Sequence, residues 1–115
     1  MIKWKPLKGT SGQINAKKRG GYLYILANKR RTVLYTGVAT SLKKRTMERQ
    51  AKKDVNSFAA RFNCDVLIYY QSFHSMEDAI EEEARIKGLS RSEKLKLINT
   101  MNPSLKDLFP DLVKS

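Results

Sequence analysis

Bulky apolar side chains run through Tyr22-Leu23-Tyr24-Ile25-Leu26, stop at Asn28-Lys29-Arg30-Arg31, and resume in Val33-Leu34-Tyr35-Thr36-Gly37-Val38. The middle segment cannot build a core. The outer two are rich in β-branched and aromatic residues, which pack well on a pleated surface. This is a strand, a basic turn and a second strand, joined as a hairpin. Centring the turn on Arg30 and Arg31 sets Tyr24 opposite Gly37 and Leu26 opposite Tyr35. Side chains alternate across a strand, so Tyr24 and Tyr35 share one face, beside a glycine that leaves space. Two phenols there are ordinary sheet residues unless further evidence makes them a site.

The rest of the chain alternates helix and strand. Thr40 or Ser41 can cap a helix running to about Lys53, with Leu42, Arg45 and Arg49 on one face. Ser57 to Phe62 reads as a short helix. Asp65 to Phe73 holds apolar and aromatic residues in succession, as in a strand covered on both faces. Ser75 caps a helix with acids in its first turn, and Gly88 stops it after Lys87. Met76, Ala79, Ile80 and Ile86 define an apolar stripe on that helix. Glu81 and Glu82 are expected to point away from the stripe and Glu83 to lie within it. A carboxylate there is a salt-bridge partner, an edge residue or a metal ligand, because burying it alone is costly. Ser90-Arg91-Ser92-Glu93 matches a capping box, followed by Leu95, Leu97, Ile98 and Met101. Asn102-Pro103 ends that helix, and the tail after it packs or frays.

Charge changes the picture most. The net charge is +12, and it is uneven. Residues 1–53 carry fifteen Lys and Arg against one acid, Glu48, whereas residues 54–115 carry eight against ten. Such a basic half implies a polyanionic partner, nucleic acid ahead of a membrane surface, since no basic amphipathic helix has a large apolar face. Residues 1–20 mix Lys3, Lys5, Lys8, Lys17, Lys18 and Arg19 with Gly, Ser and Pro, and read as a mobile basic arm before a domain spanning residues 21–115. Trp4 within it docks on the domain or stacks on a base. Lys17, Lys18, Arg19, Lys43, Lys44 and Arg49 are the expected phosphate contacts. With 41% hydrophobic residues the chain can bury a modest core. No apolar run reaches the roughly 20 residues a bilayer span needs, and no apolar stretch follows the first lysines, so a cytoplasmic protein without a membrane partner is expected. One cysteine, Cys64, excludes an intramolecular disulfide. With a single histidine, His74, it also excludes a zinc site of the usual kind.

Tyr22-Leu23-Tyr24, Tyr35-Thr36-Gly37, Arg45, Glu83 and Asn102, in that order and spacing, resemble the GIY-YIG nuclease superfamily, and within it the small single-domain bacterial branch. Each triplet alone is weak; the five elements together are specific. The resemblance covers residues 21 to about 109. It implies an α/β fold with a small central antiparallel sheet of about three strands flanked by helices. The sequence departs from the family pattern at Tyr22, where the family name has glycine, and at Thr36, where it has isoleucine. Arg49 stands where many relatives carry a histidine, which removes a possible proton-transfer partner, and Leu105 stands where tryptophan often follows Asn-Pro.

The resemblance implies a metal-dependent endonuclease that hydrolyses phosphodiester bonds in nucleic acid, DNA rather than RNA. Glu83 would hold Mg²⁺ or Mn²⁺, since one carboxylate and waters suffice for such an ion. Arg45 offers a planar donor fork to phosphate oxygens. Tyr35 or Tyr24 would take a proton from water, and Asn102 would orient Glu83 or a metal-bound water. The alternative is a basic nucleic-acid-binding domain that keeps this scaffold without the chemistry. The oligomeric state is not legible.

Overall fold

The computed structural model describes residues 20–50 and 61–114. Strand β1 spans Gly21–Ala27 and β2 spans Leu34–Ala39. Helix α1, Leu42–Gln50, follows. Then come β3, Val66–Phe73, and α2, Met76–Lys87. Two further helices, α3 over Arg91–Asn99 and α4 over Phe109–Lys114, complete the described chain. The basic arm up to residue 19, the end of the first helix at Lys53 and residues 57–60 of the Ser57–Phe62 segment lie outside the described residues.

The sheet has the order β2-β1-β3, with antiparallel pairing on both sides of β1. This is the expected α/β fold: a small three-stranded antiparallel sheet with helices packed around it. The hairpin register places Tyr24 opposite Gly37 and Leu26 opposite Tyr35, as the basic turn requires. β1 is central, and residues 23–27 are almost wholly buried. Its alternation feeds two separate cores. Leu23, Ile25 and Ala27 pack with Val66, Ile68, Ile86 and Ile98, beneath α2 and α3. Tyr24 and Leu26 pack with Ala39, Leu42, Cys64, Leu67 and Leu108, on the face of α1 and α4. A strand buried on both faces can carry bulky residues throughout, and β1 does.

The helix starts follow the expected chemistry. The Ser41 hydroxyl accepts from the Lys44 N–H, and Ser75 accepts from Asp78. The Ser90–Glu93 capping box is complete, each side chain accepting from the other's backbone N–H. The Ser90 backbone N–H, and after it the Ser90 side chain, favour the charged Glu93 carboxylate and hold its pKa below the ordinary value. Two expectations need correction. α3 ends at Asn99 rather than at Asn102-Pro103, and Met101 is exposed. In α2 the buried residues are Ala79, Glu82 and Ile86, while Ile80 is half exposed. The true stripe follows spacings of three and four from Ala79, which sits 3.3 Å from where a Cβ on Gly21 would lie. That close approach of helix to strand, rather than the hydrophobicity of Ile80, sets the rotation of α2.

β3 is an edge strand, and the chain after α3 covers its outer side. Leu108 N–H donates to the Leu67 carbonyl at 2.7 Å, and Leu67 N–H donates to Asp107 Oδ1 at 3.2 Å. The β1–β3 register shifts between Ile25 and Leu26, which pair with Tyr69 and Leu67, leaving Ile68 as the extra residue of a bulge. Asn102, itself buried, answers that bulge. Its Nδ2 donates to the Ile68 carbonyl at 3.0 Å and to the Lys106 carbonyl at 2.8 Å, and its Oδ1 accepts from Lys106 N–H at 3.1 Å. A short polar side chain thereby does the work of a missing ladder bond. Asn102→Ala removes three bonds and strands buried backbone groups, so it is expected to lower stability by about 2 kcal/mol. Denaturant unfolding with an unchanged m-value measures this, and a loss under about 0.5 kcal/mol would show that water replaces the amide.

Candidate active site

The candidate site grows from the hairpin. A Cβ built on Gly37 would lie 2.6 Å from Tyr24 Oη and 2.8 Å from its Cζ. No side chain fits there, so the glycine is a steric requirement of the phenol opposite it. The Tyr35 ring stands beside the same glycine, and its centroid is 6.3 Å from that of Tyr24, with the planes inclined at 42°. Tyr24 is 1% exposed, whereas Tyr35 is only partly buried. One phenol is thus structural in its surroundings, and the other reaches the surface.

Tyr22 and Tyr70 lie on this face too, so it carries four of the chain's five tyrosines. Tyr70 is opposite Tyr24 on β3. The hydrophobic pattern hid these two partners. Tyr22 has the period of Tyr24, but Tyr70 reaches this face because the bulge puts Ile68 and Tyr69 together on the other one. Thr36 is buried on the opposite face of β2 and plays no part among the phenols.

Arg45 comes from the first turn of α1, immediately after β2. Leu42 of that helix is buried in the tyrosine-side core, and Arg45 is partly exposed one turn further on. Lys43 and Lys44 on the same turn are exposed. Arg49 belongs to the described backbone of α1, and Lys17, Lys18 and Arg19 lie outside the described residues.

Glu83 comes from the other side of the sheet. Its helix packs against β1 and β2 over the core that contains Leu23, Ile25 and Ile86. Its carboxylate keeps partial exposure and pairs with Lys87 at 3.0 Å. The buried carboxylate of α2 is Glu82, contrary to the expected stripe. Arg85 clamps it in two hydrogen bonds, Nε to Oε1 at 2.9 Å and Nη2 to Oε2 at 2.6 Å. Glu82 raises the pKa of Arg85 by accepting from it, and burial, helped by the Glu82 charge, raises that of Tyr69 across the same core. Tyr24, Tyr35 and Gly37 are therefore in contact, with Arg45 on the helix of the same face. Glu83 stands on α2, which packs over the other face of the sheet, and the hydrogen bonds of Asn102 serve the backbone of β3 and its covering loop.

Among the described residues no three His, Cys, Asp or Glu side chains gather to hold a metal. A single partly exposed carboxylate such as Glu83, completed by water, is a donor set that Mg²⁺ could accept.

The described chain matches the model of the GIY-YIG catalytic domain over residues 20–97. The chain belongs to the GIY-YIG family. The family's tyrosine triplets are the two strands of the hairpin, paired through Tyr24 and Gly37. Among relatives, the UPF0213 protein OB0043 of Oceanobacillus iheyensis is 39% identical over 77 residues, covering 67% of this chain and 87% of its own. A UPF0213 protein of Syntrophus aciditrophicus is 34% identical over 82 residues, covering 71% and 92%. The NMR structure of the UPF0213 protein BH0048 from Bacillus halodurans is 27% identical, with a TM-score of 0.49 over 76% of this chain and 92% of that one. GIY-YIG membership supports a nuclease-type function with nucleic acid as partner, and GIY-YIG nucleases generally use divalent metal ions. No helix among the described residues is long and apolar enough to cross a membrane.

Two outcomes follow from this geometry. Gly37→Ala drives a methyl into the Tyr24 ring and is expected to cost about 1–3 kcal/mol, as overpacking does. Tyr24→Phe in the same chain should recover part of that loss by removing the hydroxyl, read as a double-mutant cycle in thermal unfolding; a Gly37→Ala protein as stable as the parent would refute the steric account. In α2, Glu82→Gln strips the counter-charge from Arg85 and is expected to destabilise by about 1–2 kcal/mol, below the cost of a fully buried pair because Arg85 is half exposed. Glu83→Gln loses only an exposed partner and should stay within about 0.5 kcal/mol of the parent. Parallel melts of the two variants would expose a reversed order.

Proposed function

We propose that this GIY-YIG protein is a metal-dependent endonuclease that hydrolyses phosphodiester bonds in nucleic acid, DNA in preference to RNA. The observation that carries the reading is the Tyr24–Gly37–Tyr35 contact. Gly37 opens the sheet surface for a buried phenol, and that phenol braces a second one at the surface. Packing alone has simpler solutions, since an aliphatic pair would fill the same space without burying a hydroxyl. The resemblance reads Tyr24 and Tyr35 as tyrosines of the two family triplets, which supports this reading.

Each residue then has a task. Tyr35, the more exposed phenol, acts through its Oη as phenolate and takes the proton of the attacking water while the bond from phosphorus to the leaving sugar oxygen breaks. Tyr24 holds the Tyr35 ring in place. Arg45 presents two parallel N–H groups to the non-bridging oxygens of the phosphate and neutralises charge as it accumulates at phosphorus. Glu83 would hold the divalent ion, Mg²⁺ or Mn²⁺, and the ion when bound supplies further positive charge to the phosphate. Because α2 lies behind β2 and β2 is an edge strand, a phosphate at that edge could meet Arg45 from one side and Glu83 from the other. Asn102 is a positioning residue that fixes β3 and the loop covering it. Lys43 and Lys44 extend the positive surface along the substrate backbone, joined in this reading by Lys17, Lys18, Arg19 and Arg49.

The test is nicking of supercoiled plasmid with Mg²⁺ or Mn²⁺ titrated in. Tyr35→Phe, Arg45→Met and Glu83→Gln are each expected to lower the rate at least about 100-fold while DNA binding persists. Wild-type protein that binds DNA and RNA but cuts neither with either metal would replace this reading with that of a nucleic-acid-binding domain.

A further inference from the structure

The hairpin turn opposite the site is built more firmly than a connection needs. Asn28 Oδ1 accepts from the N–H groups of Thr32 and Val33 at 2.8 and 2.9 Å, and its Nδ2 donates to Thr32 Oγ1 at 2.8 Å. Arg31 adopts a left-handed backbone, with φ of 61°. Any residue with a Cβ is unfavourable there, and side-chain bonds compensate for it. Arg31 Nε donates to the Leu105 carbonyl at 2.9 Å, and its Nη1 donates to the Lys29 carbonyl. From α3, Arg91 donates to the carbonyls of Arg31 and Thr32 at 2.8 and 3.1 Å. The turn is thus fastened to both α3 and the loop covering β3.

What this frame displays is charge. Lys29 and Arg30 are exposed at its tip. Lys29, Arg30, Arg31 and Arg91 form no ion pair among the described residues, and both anchoring guanidiniums use backbone carbonyls in place of carboxylates. Four cations with no ion-pair partner among the described residues repel one another, so the arrangement works against folding stability. A bound polyanion relieves that repulsion. The tip begins five residues after Tyr24, beyond the end of β1 at Ala27, so it lies at most about 17 Å away, roughly five phosphate spacings along one strand of a duplex. Lys43 and Lys44 lie at the other end of β2 from the turn.

We infer that the Lys29–Arg30 tip is a second phosphate-binding point, beginning at most about 17 Å from Tyr24, which grips the substrate backbone away from the point of cleavage. This rests on the nuclease reading for the identity of the polyanion. It adds a separate surface that the five motif residues do not include. Arg31 and Arg91 are positioning residues, because they hold the tip and leave Lys29 and Arg30 to meet the ligand.

The experiment is fluorescence anisotropy of a labelled DNA duplex with the full chain across a salt series. Each phosphate contact contributes about 0.9 to the slope of log K against log salt, so Lys29→Ala with Arg30→Ala should flatten the slope by about 1.8. The melting temperature of that variant, measured without DNA, should equal or exceed the parent's, because removing like charges relieves repulsion. A wild-type slope in the double variant, with Lys43→Ala and Lys44→Ala still flattening it, would overturn the second binding point and leave the nuclease reading intact. Failure of the wild type to bind duplex or single strand would remove the nuclease reading and this inference together. Binding of the wild type to anionic vesicles and not to DNA, dependent on Lys29 and Arg30, would show that the tip meets a lipid surface and overturn it as well.

Discussion

The ring of Tyr24 occupies the space that a side chain at position 37 would need, and the hairpin register follows from that exclusion. A one-residue slip would put a threonine or a valine against the phenol and turn every side chain of β2 to the wrong face. With the register held, β1 can serve two cores at once. Leu23 and Ile25 seat α2 and α3 on one side, while Tyr24 and Leu26 seat α1 and α4 on the other. Little else in the molecule is free to vary independently. The rotation of α2 depends on Ala79 meeting Gly21, and the start of α1 depends on where β2 ends.

Buried polar side chains are each given partners. Glu82 is closed off by Arg85 one turn along the same helix, and Asn102 reaches across 34 residues of chain to close the β3 bulge with a single amide. Glu83, one residue from Glu82, keeps Lys87 as a surface partner and stays partly exposed. Adjacent glutamates on one helix thus differ in burial because of a 100° step around the axis. The hairpin turn uses hydrogen bonds from Asn28, Arg31 and Arg91 to hold a small cationic loop.

Much was decided by residues near one another in the chain. The strand–turn–strand of residues 21–39, the capping serines at 41, 75 and 90 and the long apolar run of β3 are all local, set by alternation, by side-chain oxygens placed before helices and by glycines where space is needed. The tyrosine pair was legible for the same reason, because the turn and the Tyr24–Gly37 fit that hold the register lie within one hairpin. The motif residues Arg45, Glu83 and Asn102 could be selected by order and spacing, yet spacing carries no information about what an amide or a carboxylate touches.

Tertiary structure alone decided the rest. A helix with few apolar residues has several nearly equivalent faces, so the contact between Ala79 and Gly21, made across 58 residues of chain, chose Glu82 over Glu83 for burial. The bulge at Ile68 arises between strands far apart in sequence; it brings Tyr70 to the phenol face and gives Asn102 its hydrogen bonds. The anchoring of the basic turn by Arg91 and by the Leu105 carbonyl is likewise a meeting of distant segments. The amino-acid sequence by itself determined the elements, the hairpin and its charge, because these depend on neighbours. Which side chains are buried, clamped or displayed was settled only when the helices and the covering loop came to rest on the sheet, because burial is a property of the packed whole.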